Sequence, residues 1–196
     1  MVSNRGRTIV FIDNSNIFGG QQAAGWRLDW EKLIDYLRRG GDIWQVHFFA
    51  SVDEKAPEGQ MGFYRYLKEV LNWEVHLYPL GYKRTRCGHC GQLSEVRVEK
   101  GVDVALATRM LILGINRAYD TAILVSGDGD YKETVWLLKN TRGLRVEIVA
   151  WRRSLSAELA EESSSKVVYL DDLRDVIEKK DVRDPVQEGG ALLAPD

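Results

Sequence analysis

Residues 123–131 set two carboxylates, Asp128 and Asp130, among Gly127 and Gly129, directly behind the apolar block Ala122-Ile123-Leu124-Val125. Two aspartates so close repel each other unless a cation or the positive end of a helix dipole offsets their charge. A hard divalent cation with oxygen ligands is the simplest functional explanation. Helix capping is the alternative for Asp130 taken alone. Two further carboxylates suit the same chemistry: Asp13, after Thr8-Ile9-Val10-Phe11-Ile12, and Asp103, three residues after Lys100. Clustered carboxylates with few histidines nearby fit Mg²⁺ or Mn²⁺ better than zinc. A metal so held can activate a water and offset the charge that builds on a phosphate. Separate surface or capping aspartates are the competing explanation of the same residues.

Positioning these carboxylates together requires particular elements. The block before Gly127 reads as a strand buried on both faces. Residues 131–139, with Val135, Leu137 and Leu138 at helix-compatible spacing, read as a helix. The acidic loop then lies at a strand's carboxyl end, where open α/β sheets put their ligands. Upstream, residues 8–12 predict a first strand. Asp29 caps a helix through Trp30, Leu33, Ile34 and Leu37 that stops at Gly40-Gly41. Residues 43–50 predict a second strand, 59–72 a second helix and 73–80 a third strand. Beyond these, 99–113 predict a long amphipathic helix with Val102, Leu106, Met110 and Leu113 on one stripe. A strand at 145–151, a helix at 155–162, a strand at 167–170 and a helix at 171–178 complete the pattern. Alternating strands and helices argue for an α/β fold with a parallel sheet covered on both faces. In such a sheet the first and fourth strands are central neighbours, which brings Asp13 and Asp128 to one crevice. Asp103 joins them if its helix begins at the same edge.

With 196 residues the chain is long enough for one domain with a sizeable core, expected over 1–178. The polar segment 179–196, with Pro185, Gly189, Gly190 and Pro195, reads as a disordered tail. No apolar run approaches the roughly 20 residues of a membrane span, and no leader of signal-peptide type precedes the first strand, so a cytoplasmic protein is expected. Net charge is −2, which announces no nucleic acid globally, yet the stretch 81–100 holds Lys83, Arg84, Arg86, Arg97 and Lys100 against Glu95 and Glu99. Such a basic excursion, inserted at 81–98 where it breaks the strand–helix rhythm and compatible with a hairpin shape, suits phosphate binding; a solvated loop is its other meaning.

Three segments together carry a family resemblance: Phe11-Ile12-Asp13-Asn14-Ser15-Asn16, Lys100-Gly101-Val102-Asp103-Val104-Ala105-Leu106-Ala107-Thr108, and Leu124-Val125-Ser126-Gly127-Asp128-Gly129-Asp130-Tyr131. They resemble the motifs of the NYN domain, in its LabA-like branch of the PIN-like nucleases. Ser154-Leu155-Ser156 with Leu159, then Val168-Tyr169-Leu170, resemble that family's closing segment. The resemblance implies a three-layer PIN-like (Rossmannoid) fold with strand order 3-2-1-4-5. It also implies a Mg²⁺- or Mn²⁺-dependent ribonuclease site, of endoribonuclease type, with its acidic cluster at Asp13, Asp103, Asp128 and Asp130. Asn14, Asn16 and Ser126 are the supporting polar groups. In the implied mechanism a metal held by Asp13, Asp103 and Asp128 positions water for in-line attack, and Asp130 is an outer ligand or base. Lys83, Arg84, Arg86, Lys100, Arg109, Arg152 and Arg153 are the residues expected to track a single RNA strand. A non-catalytic RNA- or nucleotide-binding regulator on the same fold is the alternative, because fold does not establish activity.

Two departures stand against the family pattern. Many relatives place an acidic residue six positions after Asp103, where this chain has Arg109. Arginine cannot ligate a cation, so this residue either contacts a phosphate or marks a weakened metal site. The second departure, Cys87-Gly88-His89-Cys90-Gly91, resembles half of a zinc ribbon. A structural zinc wants four ligands, His89 is too close in sequence for comfort, and His47 and His76 fall on predicted strands as core or surface residues. Zinc at Cys87 and Cys90 is therefore expected only in a homodimer whose two chains each donate a pair; an exposed thiol pair without metal is the alternative. Two other enzyme classes are disfavoured. A dehalogenase-type phosphatase wants a carboxylate where Ser15 stands, and Phe18-Gly19-Gly20 is no dinucleotide-binding glycine motif.

Overall fold

A computed structural model of the chain describes residues 5–86, 88–98 and 101–180. Its strands are β1 (Thr8–Asp13), β2 (Ile43–Val52), β3 (Glu74–Pro79), β4 (Gly81–Arg86), β5 (Leu93–Val98), β6 (Thr121–Val125), β7 (Arg145–Ala150) and β8 (Val168–Tyr169). The α-helices are α1 (Asn14–Ala24), α2 (Trp30–Arg38), α3 (Glu58–Arg65), α4 (Val102–Ile115), α5 (Lys132–Arg142), α6 (Ala157–Glu162) and α7 (Arg174–Ile177). Six strands form one sheet in the order β3-β2-β1-β6-β7-β8, every pair parallel, while β4 and β5 form an antiparallel hairpin of their own.

The central strands are apolar on both sides because each side faces a core. Ile9 and Phe11 of β1 pack with Leu124 of β6 against Val102, Leu106 and Met110 of α4 and Val135 and Leu138 of α5. Val10 and Ile12 point the other way, with Ile123, toward Leu33, Ile34 and Leu37 of α2. Alternation along the strand thus assigns successive residues to two cores, and helix layers close both. Among the described residues, no helix is long and apolar enough to cross a membrane.

The expected order 3-2-1-4-5 is corrected. The hairpin takes the fourth and fifth places in chain order, so the strand beside β1 is β6, and β8 lengthens that edge beyond β7. The expected second helix is also divided: α3 ends at Arg65 and a π-helical turn, Tyr66–Val70, follows it. A larger difference is α1, which begins immediately after β1 in a stretch for which no helix was expected. Asn14, Ser15, Asn16, Gly19 and Gly20 are poor helix formers. Two local devices and one distant side chain supply what propensity lacks. The Asp13 carboxylate caps the first turn through the Asn16 amide, and Gly25 closes the last turn in the left-handed region at φ 74°. Gly20 lies flat on the Trp151 indole, where a Cβ would stand 1.9 Å from a ring carbon. The expected tail beyond residue 180 lies outside the described residues.

Candidate active site

Chain order reverses between β1 and β6, so the carboxyl ends of these two strands open a crevice at the switch point of the sheet. Asp13, the last residue of β1, sits there almost fully buried, with 1% of its surface exposed. Its two carboxylate oxygens are held from three directions. Oδ1 accepts the Asn16 amide at 3.2 Å; Oδ2 accepts the Ser126 hydroxyl at 3.0 Å and faces the Tyr131 hydroxyl at 3.4 Å. The Tyr131 hydroxyl also lies 3.3 Å from Asp103 Oδ1, so one phenol bridges the carboxylates of β1 and α4. A hydroxyl carries a single proton and donates to one of the two at a time.

Burial pushes the Asp13 carboxyl up to about 6. The charges of Asp103 and Asp128 add to this, against the Asn16 amide and Ser126 hydroxyl, which favour the ionised form. The same burial, with Asp13 and Asp103 beside it, holds the Tyr131 phenol protonated far above the usual tyrosine range. Asp13 and Tyr131 thus both feel the charges of Asp103 and Asp128.

The loop between β6 and α5 is built around Ser126, whose hydroxyl accepts the Asp128 amide at 3.1 Å while donating to Asp13. Asp128 in turn accepts the Asp130 amide at 3.0 Å and starts a short 3₁₀ turn, Gly129–Tyr131. Gly127 has no room for a side chain, since a Cβ would meet the Ser154 carbonyl oxygen at 2.6 Å. Asn16 Oδ1 accepts the Gly127 amide at 3.0 Å and the Ser154 hydroxyl at 3.3 Å, tying α1, the acidic loop and the turn after β7 together. Ser51, on the same face of β2 as Phe49, has a buried hydroxyl with no hydrogen-bond partner among the described residues.

The structure therefore places Asp13, Asp103, Asp128, Asn16 and Ser126 at one edge. Asn14 opens α1, and Asp130 contributes its backbone to the turn and exposes its carboxylate. Among the described residues, no three His, Cys, Asp or Glu side chains form a group that could hold a metal ion as they stand. Tyr131 and Ser154 are the participants sequence reasoning did not select. Tyr131 reads as an apolar helix residue, and the only signal for its role is its place directly behind the acidic loop.

The basic residues divide by how they are engaged. In the hairpin, Arg84 pairs with Glu95 at 3.0 Å and Arg86 donates to the Gly91 carbonyl, whereas Lys83 is exposed. Arg152 is bound to Asp172 at 2.7 Å and lies over the Tyr169 ring; Arg153 is exposed. Arg109 is exposed on α4, about 9 Å of helical rise beyond Asp103. It stands by the stacked pair His47 and His76, whose ring nitrogens are 3.1 Å apart. Burial, the neighbouring His76 and the Arg109 charge bring His47 down to about 4, and burial with Arg109 lowers His76 as well. His47 pairs in register with Phe11, two residues short of Asp13, so this group lies below the crevice along the sheet. Cys90 is an exposed free thiol, while Cys87 and Lys100 lie outside the described residues, and with Cys87 the expected zinc pair.

The Low amplitude and bright protein LabA of Synechococcus elongatus is 25% identical over 181 residues, covering 91% of each chain. The crystal structure of a protein of unknown function from Vibrio parahaemolyticus is similar at a TM-score of 0.68 and 21% identity, over 90% of this chain and 99% of that one, a likeness of fold. The NYN domain matches residues 7–171, most of the chain, which thus belongs to the NYN domain family and is related to LabA-like members of the PIN superfamily.

Proposed function

We propose that the chain is a Mg²⁺- or Mn²⁺-dependent ribonuclease acting on single-stranded RNA at the crevice where β1 and β6 end. The observation that carries this reading is the buried Asp13 carboxyl, raised to about 6 and linked through the Tyr131 hydroxyl to Asp103. A carboxylate in so dry and negative a place is unfavourable for folding, and perturbed groups of this kind concentrate at functional sites. The donors offered are all oxygen, which fits a hard cation. Mg²⁺ keeps several waters and is commonly held by one or two carboxylates with substrate phosphates, so a dense protein cage is not required. Asp13, Asp103 and Asp128 would hold a divalent ion, which would supply positive charge for the phosphate and a more acidic water.

The chain's own groups set the conditions. Ser126 and Tyr131 fix the orientation of Asp13, and the Ser126 hydroxyl couples it to the Asp128 amide. Below about pH 6 Asp13 binds a proton in place of a cation, so activity falls toward acid. Asp130, exposed at the rim, is the outer ligand or base of this reading, and Lys83 and Arg153, exposed and without a hydrogen bond or ion pair among the described residues, are its candidate phosphate contacts.

A non-catalytic RNA-binding module is the second reading. It is favoured by the carboxylates that, among the described residues, do not close into a three-residue metal group, and by Arg109. The deciding experiment is cleavage of single-stranded RNA with Mn²⁺ by the wild type and by Asp103→Asn. Asp103 is exposed at the first turn of α4, so its neutral replacement is expected to fold normally and to lose cleavage by 100-fold or more, on the order of a lost electrostatic contribution in catalysis. RNA bound without cleavage by the wild type would establish the second reading.

A further inference from the structure

On the other side of Asn16 from the acidic crevice lies a pocket of about 520 Å³. Asn16 and Gly19 of α1 line it together with Trp151, Arg153, Ser154 and Asp171. The size is that of a small-molecule site, which runs from about 300 to 1,000 Å³. Its chemistry narrows the occupant. The Trp151 indole N–H donates to the Ile17 carbonyl at 3.0 Å, and the ring, 1% exposed beneath Gly20, offers no stacking face, which leaves Gly20, Ala23 and Ala24 as the apolar floor. Arg153 has no hydrogen bond or ion pair among the described residues, in contrast to Arg152, which Asp172 and Tyr169 engage. Asp171 gives Oδ2 to the Arg152 amide at 2.8 Å and keeps its other oxygen available. A phosphate alone would meet repulsion from Asp171, and a purely apolar ligand would leave two charges desolvated without partners. A ligand with a flat apolar body, hydroxyl donors and one anionic group satisfies all of them.

We propose that this pocket holds one ribonucleoside unit of the RNA strand, next to the phosphate presented to the acidic crevice. In this arrangement the ribose hydroxyls donate to Asp171, Arg153 contacts a phosphate, and the base lies over the apolar floor. The assignment rests on the reading of RNA as substrate. Two features of α1 support it. Asn16 Oδ1 holds both the Gly127 amide and the Ser154 hydroxyl, so pocket wall and acidic loop are one rigid unit. The two neighbouring glycines also differ: Gly20 is required by Trp151, whereas a Cβ on Gly19 would meet nothing within 4 Å. Gly19 carries the conformational cost of a helical glycine with no packing reason inside the protein, and it leaves the pocket wall open.

Gly19→Leu extends a side chain from a position where a Cβ meets nothing within 4 Å and improves helix propensity, so it separates blocked binding from damaged folding. The probes are adenosine 5′-monophosphate and its 2′-deoxy analogue, titrated without metal and followed by amide chemical shifts. Expected are shifts at Gly19, Ser154 and Asp171, several-fold weaker binding of the deoxy compound, loss of binding by tenfold or more in Gly19→Leu at unchanged or higher Tm, and retention in Gly19→Ala. Binding that Gly19→Leu leaves intact, absence of shifts at millimolar nucleotide, or equal shifts with inorganic phosphate would each overturn the proposal. RNA cleavage by Gly19→Leu at unchanged KM would remove the pocket and leave the nuclease reading standing. Nucleotide bound here by a wild type that does not cleave RNA would do the reverse.

Discussion

Asp13 is tied to folding as well as to chemistry, because its carboxyl titrates at about 6 in the native state against about 3.9 in an unfolded chain. The native state binds the proton more tightly, so stability is greatest below about pH 4 for this group and is lost as pH rises through 6. Two pKa units amount to about 3 kcal/mol at neutral pH. Asp13→Asn, which keeps an acceptor for the Asn16 amide, is expected to raise the metal-free unfolding free energy at pH 7.5 by about 1–3 kcal/mol and to leave it nearly unchanged at pH 4. Urea unfolding at the two pH values measures this, and an equal difference at both would show that Asp13 is not the group that titrates. At this scale the sequence was informative about Asp13, Asp103, Asp128, Ser126 and Asn16, since motif and strand end point to one place. Tyr131 was illegible because a buried tyrosine at helical spacing looks like core; only the position of its hydroxyl between Asp13 and Asp103 separates the two roles. Arg109 was read, from its departure from the family pattern, as a phosphate contact or the mark of a weakened metal site, and its nearness to His47 and His76 depends on which strands lie beneath α4.

Among the elements, α1 shows how tertiary packing overrides local preference. Its glycines argue against a helix in sequence, and the reason for Gly20 is an indole more than a hundred residues away that no local window contains. Gly20→Ala gains helix propensity yet forces a methyl into Trp151, which is 1% exposed and has nowhere to retreat. Overpacking of this kind costs about 1–3 kcal/mol. A lowered Tm in differential scanning calorimetry is expected, and an unchanged one would mean that α1 lies more loosely on Trp151 than the structure has it. The hairpin β4–β5 leads from the carboxyl end of β3 back to the start of α4, so both its ends lie at the edge that carries the acidic crevice. Tyr82 fastens its base to Asp53 at 2.6 Å. Among the described side chains of the hairpin, Lys83 has no hydrogen bond or ion pair, while Glu95 already neutralises Arg84. Lys83→Ala is therefore expected to lower the slope of log K against log salt for RNA binding by about one, and Arg84→Ala by less. Equal slopes in wild type and Lys83→Ala would assign the hairpin to another partner.

For the whole molecule, the parallel α/β class was legible because apolar runs and amphipathic helices alternate, and a parallel sheet is the solution that buries both faces of such strands. Strand numbering was not: the 81–98 segment reads as a hairpin-shaped insert, but the expected order counted only strands of the central sheet, whereas the hairpin takes two places in chain order. The consequence of the topology is that β1 and β6 arrive side by side from distant parts of the chain, and the negative charge at their ends is assembled only on folding. A cation that binds there binds the native state alone and stabilises it by mass action, by about 2.7 kcal/mol at 100 times its Kd. Mn²⁺ is thus expected to raise the Tm of the wild type at pH 7.5 and to lose this effect as pH falls through about 6, where protons occupy Asp13. Asp128→Asn removes one charge from the site while leaving a side-chain oxygen to accept the Asp130 amide. Its own stability should hardly change, and the Mn²⁺-induced shift should shrink strongly. The same two proteins titrated with Mn²⁺ by calorimetry give the affinities directly. Equal affinities, or a shift in Tm that persists unchanged at pH 5, would place the cation away from the crevice formed by β1 and β6.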